Sequence, residues 1–188
     1  MQKDIGSVMG LYPTPVTVVG LVTEENTVNF LTIAHVGVVD HGHLLVSIDK
    51  AHEISDTGIK KHAVLSVSLV NQSMLVSADY CGIAKAAATD KSAVFNYHMD
   101  ELEYAPIIDE APVSMTCKVV ESIVAGNFTN YILKPVHTYV QEECLNERGK
   151  IDYEKADPVL FEFQSAQYLT TGKVIGKCWV MGKAYKQQ

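Results

Sequence analysis

Residues 16–34 read Val16-Thr17-Val18-Val19-Gly20-Leu21-Val22, then Thr23, Glu24-Glu25-Asn26-Thr27, then Val28-Asn29-Phe30-Leu31-Thr32-Ile33-Ala34. The first run is dense in β-branched residues, which fit a pleated and buried surface. Pro13 and Pro15 stand just before it and disfavour a helix there. The polar stretch Glu24–Thr27 has turn composition, so the two apolar runs predict a β-hairpin.

The β signal continues outward from this hairpin. Leu44–Ile48 predicts a short buried strand after the turn Asp40-His41-Gly42-His43, and Val64–Val70 alternates as another strand. Val113–Ala125 and Phe128–Gln141 predict two long strands around Gly126-Asn127, a pair with hairpin-turn chemistry. Helical readings are fewer. They comprise one short surface helix between Ala51 and His62, a helical turn over Ser73–Tyr80 with Gly82 just past its end, and an alanine-rich helix over Ala84–Ala93. Asp100–Pro112 reads as an acidic loop and Asn146–Lys155 as a charged connector. At least six strands with two or three short helices predict a mainly β protein, a β-barrel with helical inserts.

The chain has 188 residues, 47% hydrophobic and 20% charged, which is globular composition in the size range of a single domain, 1–188. Its formal net charge of -7 excludes a bulk electrostatic footprint for nucleic acid or an anionic membrane. Any anion must therefore be held by local chemistry. Cys81, Cys117, Cys144 and Cys178 are widely separated and form no Cys-x-x-Cys pair, against a structural zinc site or a disulfide scaffold. With no apolar leader and no apolar run long enough to span a bilayer, the expectation is a cytoplasmic protein.

Two segments carry candidate chemistry. Asn29-Phe30-Leu31-Thr32-Ile33-Ala34-His35 ends a strand in small and hydroxyl-bearing residues, which lets a planar ligand approach the backbone. An ordinary strand with polar outward positions explains the same residues. Ser47-Ile48-Asp49-Lys50-Ala51-His52-Glu53-Ile54-Ser55-Asp56-Thr57 leaves a strand and opens a helix. Ser55 or Thr57 would cap that helix, and the N–H groups freed at its start make an anion site, with Lys50 and His52 adding charge or donors. Simple capping among solvated charges accounts for the segment as well. His35, His41 and His43 raise a metal reading, but no carboxylate or thiol completes a ligand spacing, so His41 and His43 read as turn residues and no metal is expected. Cys81 reads as a small buried hydrophobe rather than a reactive thiol. No nucleophile elbow, Walker loop or Gly-x-Gly-x-x-Gly is present, so a Rossmann nicotinamide fold has no support.

Taken in order, five segments resemble the flavin reductase-like, FMN-binding split-barrel family, which includes the flavoredoxins. They are Tyr12-Pro13-Thr14-Pro15-Val16, Asn29–Ala34, Ser47–Thr57, Asp79-Tyr80-Cys81-Gly82-Ile83 with Asp90-Lys91-Ser92, and Ile175-Gly176-Lys177-Cys178-Trp179. The resemblance implies a split-barrel homodimer with one FMN per subunit near the interface. It places Thr32, Ile33 and Ala34 along the flavin ring, and Ser47, Lys50, His52, Ser55 and Thr57 along the ribityl-phosphate. Asn29, His35 and Ile48 complete the cofactor-binding set so implied.

At two points the chain departs from the family pattern. His35 stands where many relatives have an aromatic residue, and a protonated imidazole there would stabilise a reduced anionic flavin. Lys85 and Ala86 stand where relatives often carry Ser-Gly, which bears on the donor or acceptor pocket more than on FMN. The leading expectation is an FMN-dependent oxidoreductase. It would take electrons from NADH or NADPH and pass them to a small-molecule or protein acceptor. The alternatives are a flavoredoxin-like electron carrier without nicotinamide turnover of its own, and a non-redox ligand-binding barrel.

Overall fold

Pro13 and Pro15 hold the entering chain extended in the computed structural model, which describes residues 1–185: Thr14–Pro15 is a short strand, β1. The predicted hairpin follows as β2 (Thr17–Val22) and β3 (Val28–Ile33), paired antiparallel from Thr17 opposite Ile33 to Val22 opposite Val28. β4 (Val36–Val38), β5 (Leu44–Asp49), α1 (Glu53–His62), β6 (Val64–Leu69) and α2 (Leu75–Ile83) come next. Two short strands, β7 (Tyr97–His98) and β8 (Ile107–Ile108), pair with each other, so the segment expected as an acidic loop over Asp100–Pro112 contains a strand. β9 (Val113–Ala125) and β10 (Phe128–Val140) form the long hairpin, turning at Gly126, whose φ of +57° suits a residue without a Cβ. α3 (Tyr153–Ala156), β11 (Leu160–Glu162) and β12 (Gln167–Leu169) finish the regular structure.

Seven strands form the main sheet in the order β3-β2-β6-β9-β10-β5-β4, every neighbour antiparallel. Its two edges are β3 and β4, and only Ala34 and His35 separate them in the chain. Three Cα steps span at most about 11 Å, so the sheet has to curl until its edges meet. The result is a barrel with an unpaired seam between β3 and β4, beside which the Ser47 amide donates to the His35 carbonyl at 3.0 Å and carries the β4–β5 pairing one residue further.

β2 and β3 are buried on both faces. Val19, Leu21, Leu31 and Ile33 point into the barrel with Val46, Leu65, Tyr131 and Leu133. Val18 and Phe30 point outward into a second core with Met74, Ala78, Cys81 and Phe95, where α2 covers the sheet. Double burial explains why residues 16–22 read as a continuous apolar run rather than an alternating one. Two glycines allow close approach: a Cβ at Gly20 would lie 2.8 Å from the Pro106 carbonyl oxygen, and one at Gly58 would lie 2.6 Å from the Val22 carbonyl oxygen.

Three helical expectations need correction. α1 is half-sunk rather than superficial, with Ser55, Asp56, Gly58 and Ile59 buried against the barrel. Gly82 lies inside α2, which ends when Ala84 turns extended (φ -74°, ψ 126°). Ala84–Ala93 forms turns, not a helix: the amides of Ala88 and Thr89 return to the Lys85 carbonyl, and the Asp90 carboxylate takes the Ser92 amide. That local side-chain bond competes with the helix, and burial of Lys91 and Phe95 overrides alanine's helical preference.

Candidate functional site

The seam is lined by a cavity of about 340 Å³. Thr32, Ile33, Ala34 and His35 form one wall, Ser47 and His52 another, and Gly82 of α2 a third. Phe128, Phe161, Phe163 and Tyr168 supply aromatic surface. Three of the strand-end carbonyls are already satisfied: Thr17 Oγ1 donates to Ile33 O at 2.7 Å, Thr14 Oγ1 to Ala34 O at 2.9 Å, and the Ser47 amide to His35 O. The amides of Ala34 and His35 donate to no acceptor among the described residues. The cavity therefore offers backbone donors beside apolar and aromatic walls, which suits a planar ligand with ring oxygen and nitrogen acceptors.

A second cavity, about 160 Å³, adjoins the N-terminus of α1. His52 lies on the walls of both. No side chain caps α1. Asp49 instead caps the preceding turn by accepting from the Ala51 amide at 2.8 Å. The opposite wall carries Lys85 and Lys91. Lys91 is only 2% exposed, and its single protein acceptor is the Cys81 carbonyl oxygen at 3.3 Å. Burial pushes the Lys91 ammonium pKa down, and it does the same to His52, whose pKa Asp49 raises and Lys91 lowers further. A buried cation facing the positive end of a helix is electrostatically unfavourable until an anion joins it. A phosphate fits that arrangement.

The sequence-predicted residues fall into three groups. Thr32, Ile33, Ala34, His35, Ser47 and His52 line the seam cavity, and Ser55 lines the helix cavity. Asn29 and Thr57 face a third, adjoining groove, and Asn29 Nδ2 donates to Ser55 Oγ at 3.0 Å. Ile48 and Lys50 line none of these cavities. Ile48 is fully buried in the barrel core, and Lys50 reaches the hairpin turn, donating to the Gly126 carbonyl at 2.8 Å.

Nor do Ser55 and Thr57 cap α1. The helix begins two residues earlier than Ser55, and Thr57 Oγ1 donates back to the Ile54 carbonyl at 3.2 Å. His35 packs edge-on to Phe128, ring centres 5.4 Å apart, and lies 3.4 Å from the Tyr12 hydroxyl. Cys81 is fully buried, its thiol pushed up to about 11 by that burial, as a structural cysteine. Among the described residues, no three His, Cys, Asp or Glu side chains gather as a metal cluster, and His43 pairs with Asp40 at 2.9 Å.

Sequence reasoning gave no role to Lys91 or to the four aromatic residues. Asp90-Lys91-Ser92 was a signal for Lys91. The aromatic residues come from β10 and from the segment around β11 and β12, remote in sequence from the seam. There Tyr168 donates to Asp79 of α2, which ties the aromatic wall to the helix.

The flavin reductase like domain model matches residues 9–169. The chain belongs to that family. A flavoredoxin from Methanosarcina acetivorans superposes with a TM-score of 0.91 at 29% identity, covering 97% of this chain and 98% of its own. The flavoredoxin of Desulfovibrio vulgaris (Miyazaki F) gives 0.88 at 26% identity, covering 97% and 100%. An FMN-binding protein from Thermus thermophilus shares the fold at 18% identity, with a TM-score of 0.78 over 94% and 97%. No curated protein matches the chain. Family membership supports a flavin as the class of cofactor, and the split barrel is the family's fold. Among the described residues no helix is long and apolar enough to cross a membrane.

The start of α1 is held in place by Asp56. Its carboxylate accepts from the Tyr131 hydroxyl of β10 at 2.5 Å and from Lys60. Burial works to raise the Asp56 pKa, but hydrogen bonds from Lys60, Tyr131 and Thr129 outweigh it and hold the pKa below the ordinary carboxylate value. A depressed carboxylate pKa stabilises the fold above the unfolded-state pKa, and that stability is lost as pH falls through the folded value. Tyr131→Phe is expected to cost about 1–3 kcal/mol at neutral pH. The deficit should shrink toward the acid end of the folded range, read by urea denaturation at a series of pH values. A deficit independent of pH would contradict this account.

Proposed function

We propose that the chain binds FMN, with the ring in the seam cavity and the phosphate against Lys91 and the first turn of α1. The observation that carries this reading is Lys91, a buried ammonium with one neutral acceptor beside an uncapped helix start. Bound there, FMN would supply hydride and one-electron transfer chemistry. The chain's own part is to bind and orient. The free amides of Ala34 and His35 stand ready for ring acceptors, and Gly82 leaves space beside Thr32, where an added Cβ would lie 3.5 Å from the threonine's Cβ. The Phe128, Phe161 and Phe163 rings limit water at the same wall. Lys91→Met is expected to weaken FMN by about 10- to 100-fold, as loss of a charged hydrogen bond does. Riboflavin, which lacks the phosphate, should keep its affinity within about twofold. Equal losses for both flavins would place the phosphate elsewhere.

Supported by family membership, we read the activity as that of a flavin reductase-type oxidoreductase, fed by NADH or NADPH and passing electrons to a separate acceptor. Likeness to two flavoredoxins at 29% and 26% identity favours a second reading, an electron carrier without nicotinamide turnover. Anaerobic mixing of the flavin-loaded protein with NADH or NADPH separates the two. Bleaching of the flavin absorbance within seconds is expected for the reductase, and a spectrum unchanged by both nucleotides would leave the carrier.

The partner we propose is a second copy of this chain. Val174, Ile175 and Trp179 form an apolar arm on the C-terminal segment, with Ile175 92% and Trp179 90% exposed. On the far end of the long hairpin Val120, Ile123 and Val124 are exposed as well. Apolar surface of this extent calls for cover. Light scattering should give twice the chain mass, and a flavin-loaded monomer would contradict it.

A further inference from the structure

Past β12 the chain changes character. Residues 170–188 carry Lys173, Lys177, Lys183 and Lys186 and no aspartate or glutamate, so all 22 side-chain carboxylates lie in residues 1–169. The root of this segment is fixed: the Val174 amide donates to Glu154 Oε1 of α3 at 2.6 Å, and Thr171 Oγ1 donates to Asp157 Oδ1 at 3.4 Å. From Ile175 to Tyr185 the hydrogen bonds among the described residues are internal. The amides of Val180, Met181, Lys183 and Tyr185 donate to the carbonyls of Lys177, Val180 and Gly182. Gly176 packs against the Met181 side chain, so the segment folds on itself rather than on the barrel. Ile175, Trp179, Met181 and Tyr185 are all exposed. The result is an arm, apolar and basic, held out from its own chain.

A surface of complementary character lies on α2. Val76, Tyr80 and Ile83 are spaced i, i+4, i+7 and so share one face of the helix. All three are exposed, Val76 to 84%. The helix carries one charged side chain, Asp79, and no cation. Ile83 and the exposed Phe163 both line the seam cavity, so the apolar stripe continues past the end of the helix.

We propose that the arm of one chain lies on the α2 stripe of a second copy, an inference that rests on the homodimer reading above. Ile175 and Trp179 cover the stripe, and the arm's lysines meet a body that holds every carboxylate of the chain. The same acidic body disfavours an anionic membrane as the occupant. An arm and a stripe at different places on one chain exchange reciprocally about a two-fold axis, which closes the assembly at two copies.

Trp179 is the chain's only tryptophan, so indole emission from the flavin-free protein reports the arm alone. In the dimer that emission should be blue-shifted and shielded from acrylamide. Val76→Lys, at an exposed helix position, should weaken self-association by about tenfold or more, as burial of an unpaired charge does. The emission should then match that of free indole, with the far-ultraviolet circular dichroism unchanged. Mixing identifies whose stripe the arm covers. Val76→Lys chains keep a Trp179 with no stripe to receive it, and Trp179→Phe chains keep the stripe but give no indole signal. Combined, they should restore the blue shift. No restoration on mixing would overturn the exchange and leave the arm on its own chain. A dimer whose Trp179 stays exposed, or whose emission Val76→Lys leaves unaltered, would overturn the α2 assignment. So would a blue shift produced only by vesicles of anionic phospholipid. A monomer at every concentration would overturn the homodimer reading beneath it.

Discussion

The crossing from β3 to β4 through Ala34 and His35 governs the rest of the molecule. A seven-stranded antiparallel sheet whose edge strands are two residues apart in sequence has to close, and the two connecting residues lie outside both strands. Their carbonyls are taken by Thr14 and by Ser47, while their amides remain available. Closure therefore leaves one strip of unspent backbone donors, and it lies between the barrel and α2. A flavin-sized cavity at that strip follows from topology rather than from any single side chain.

The second feature of the site is electrostatic, and it depends on how α1 is seated. Gly58 lets the helix lie against the end of β2, Asp56 ties it to Tyr131 of β10, and Ser55 accepts from Asn29 of β3. These three contacts fix the first turn of the helix opposite Lys91. Two positive features are thereby brought together in a protein of net charge -7. Local geometry, not bulk charge, makes this corner of an acidic molecule attractive to a phosphate.

Much of this was legible in the sequence. The paired apolar runs at 16–22 and 28–34 specified the hairpin, and Gly126-Asn127 specified the long one, because strand periodicity and turn chemistry are local properties. Family resemblance pointed to Thr32–His35 and His52, and the structure brings them together along the seam cavity. The segment 84–93 misled because alanine's helical preference is weak beside the burial of Lys91 and Phe95, which depends on packing partners remote in the chain. Lys50 was expected at the phosphate because of its charge, but the turn at Gly126 takes its ammonium. Phe161 and Phe163 could not be assigned to the seam from sequence, since only pairing of β1 with β11 carries them there.

The central claim is that the buried Lys91 ammonium and the start of α1 form the phosphate end of a flavin site whose ring end is the seam. The most direct measurement is a crystal structure of the protein grown with FMN. The account predicts the phosphate about 2.7–2.9 Å from Lys91 Nζ, with first-turn amides of α1 on the same oxygens and the ring against Ala34 and His35. A phosphate held instead by Lys50 at the hairpin turn, or free in solvent with Lys91 still on the Cys81 carbonyl, would contradict it.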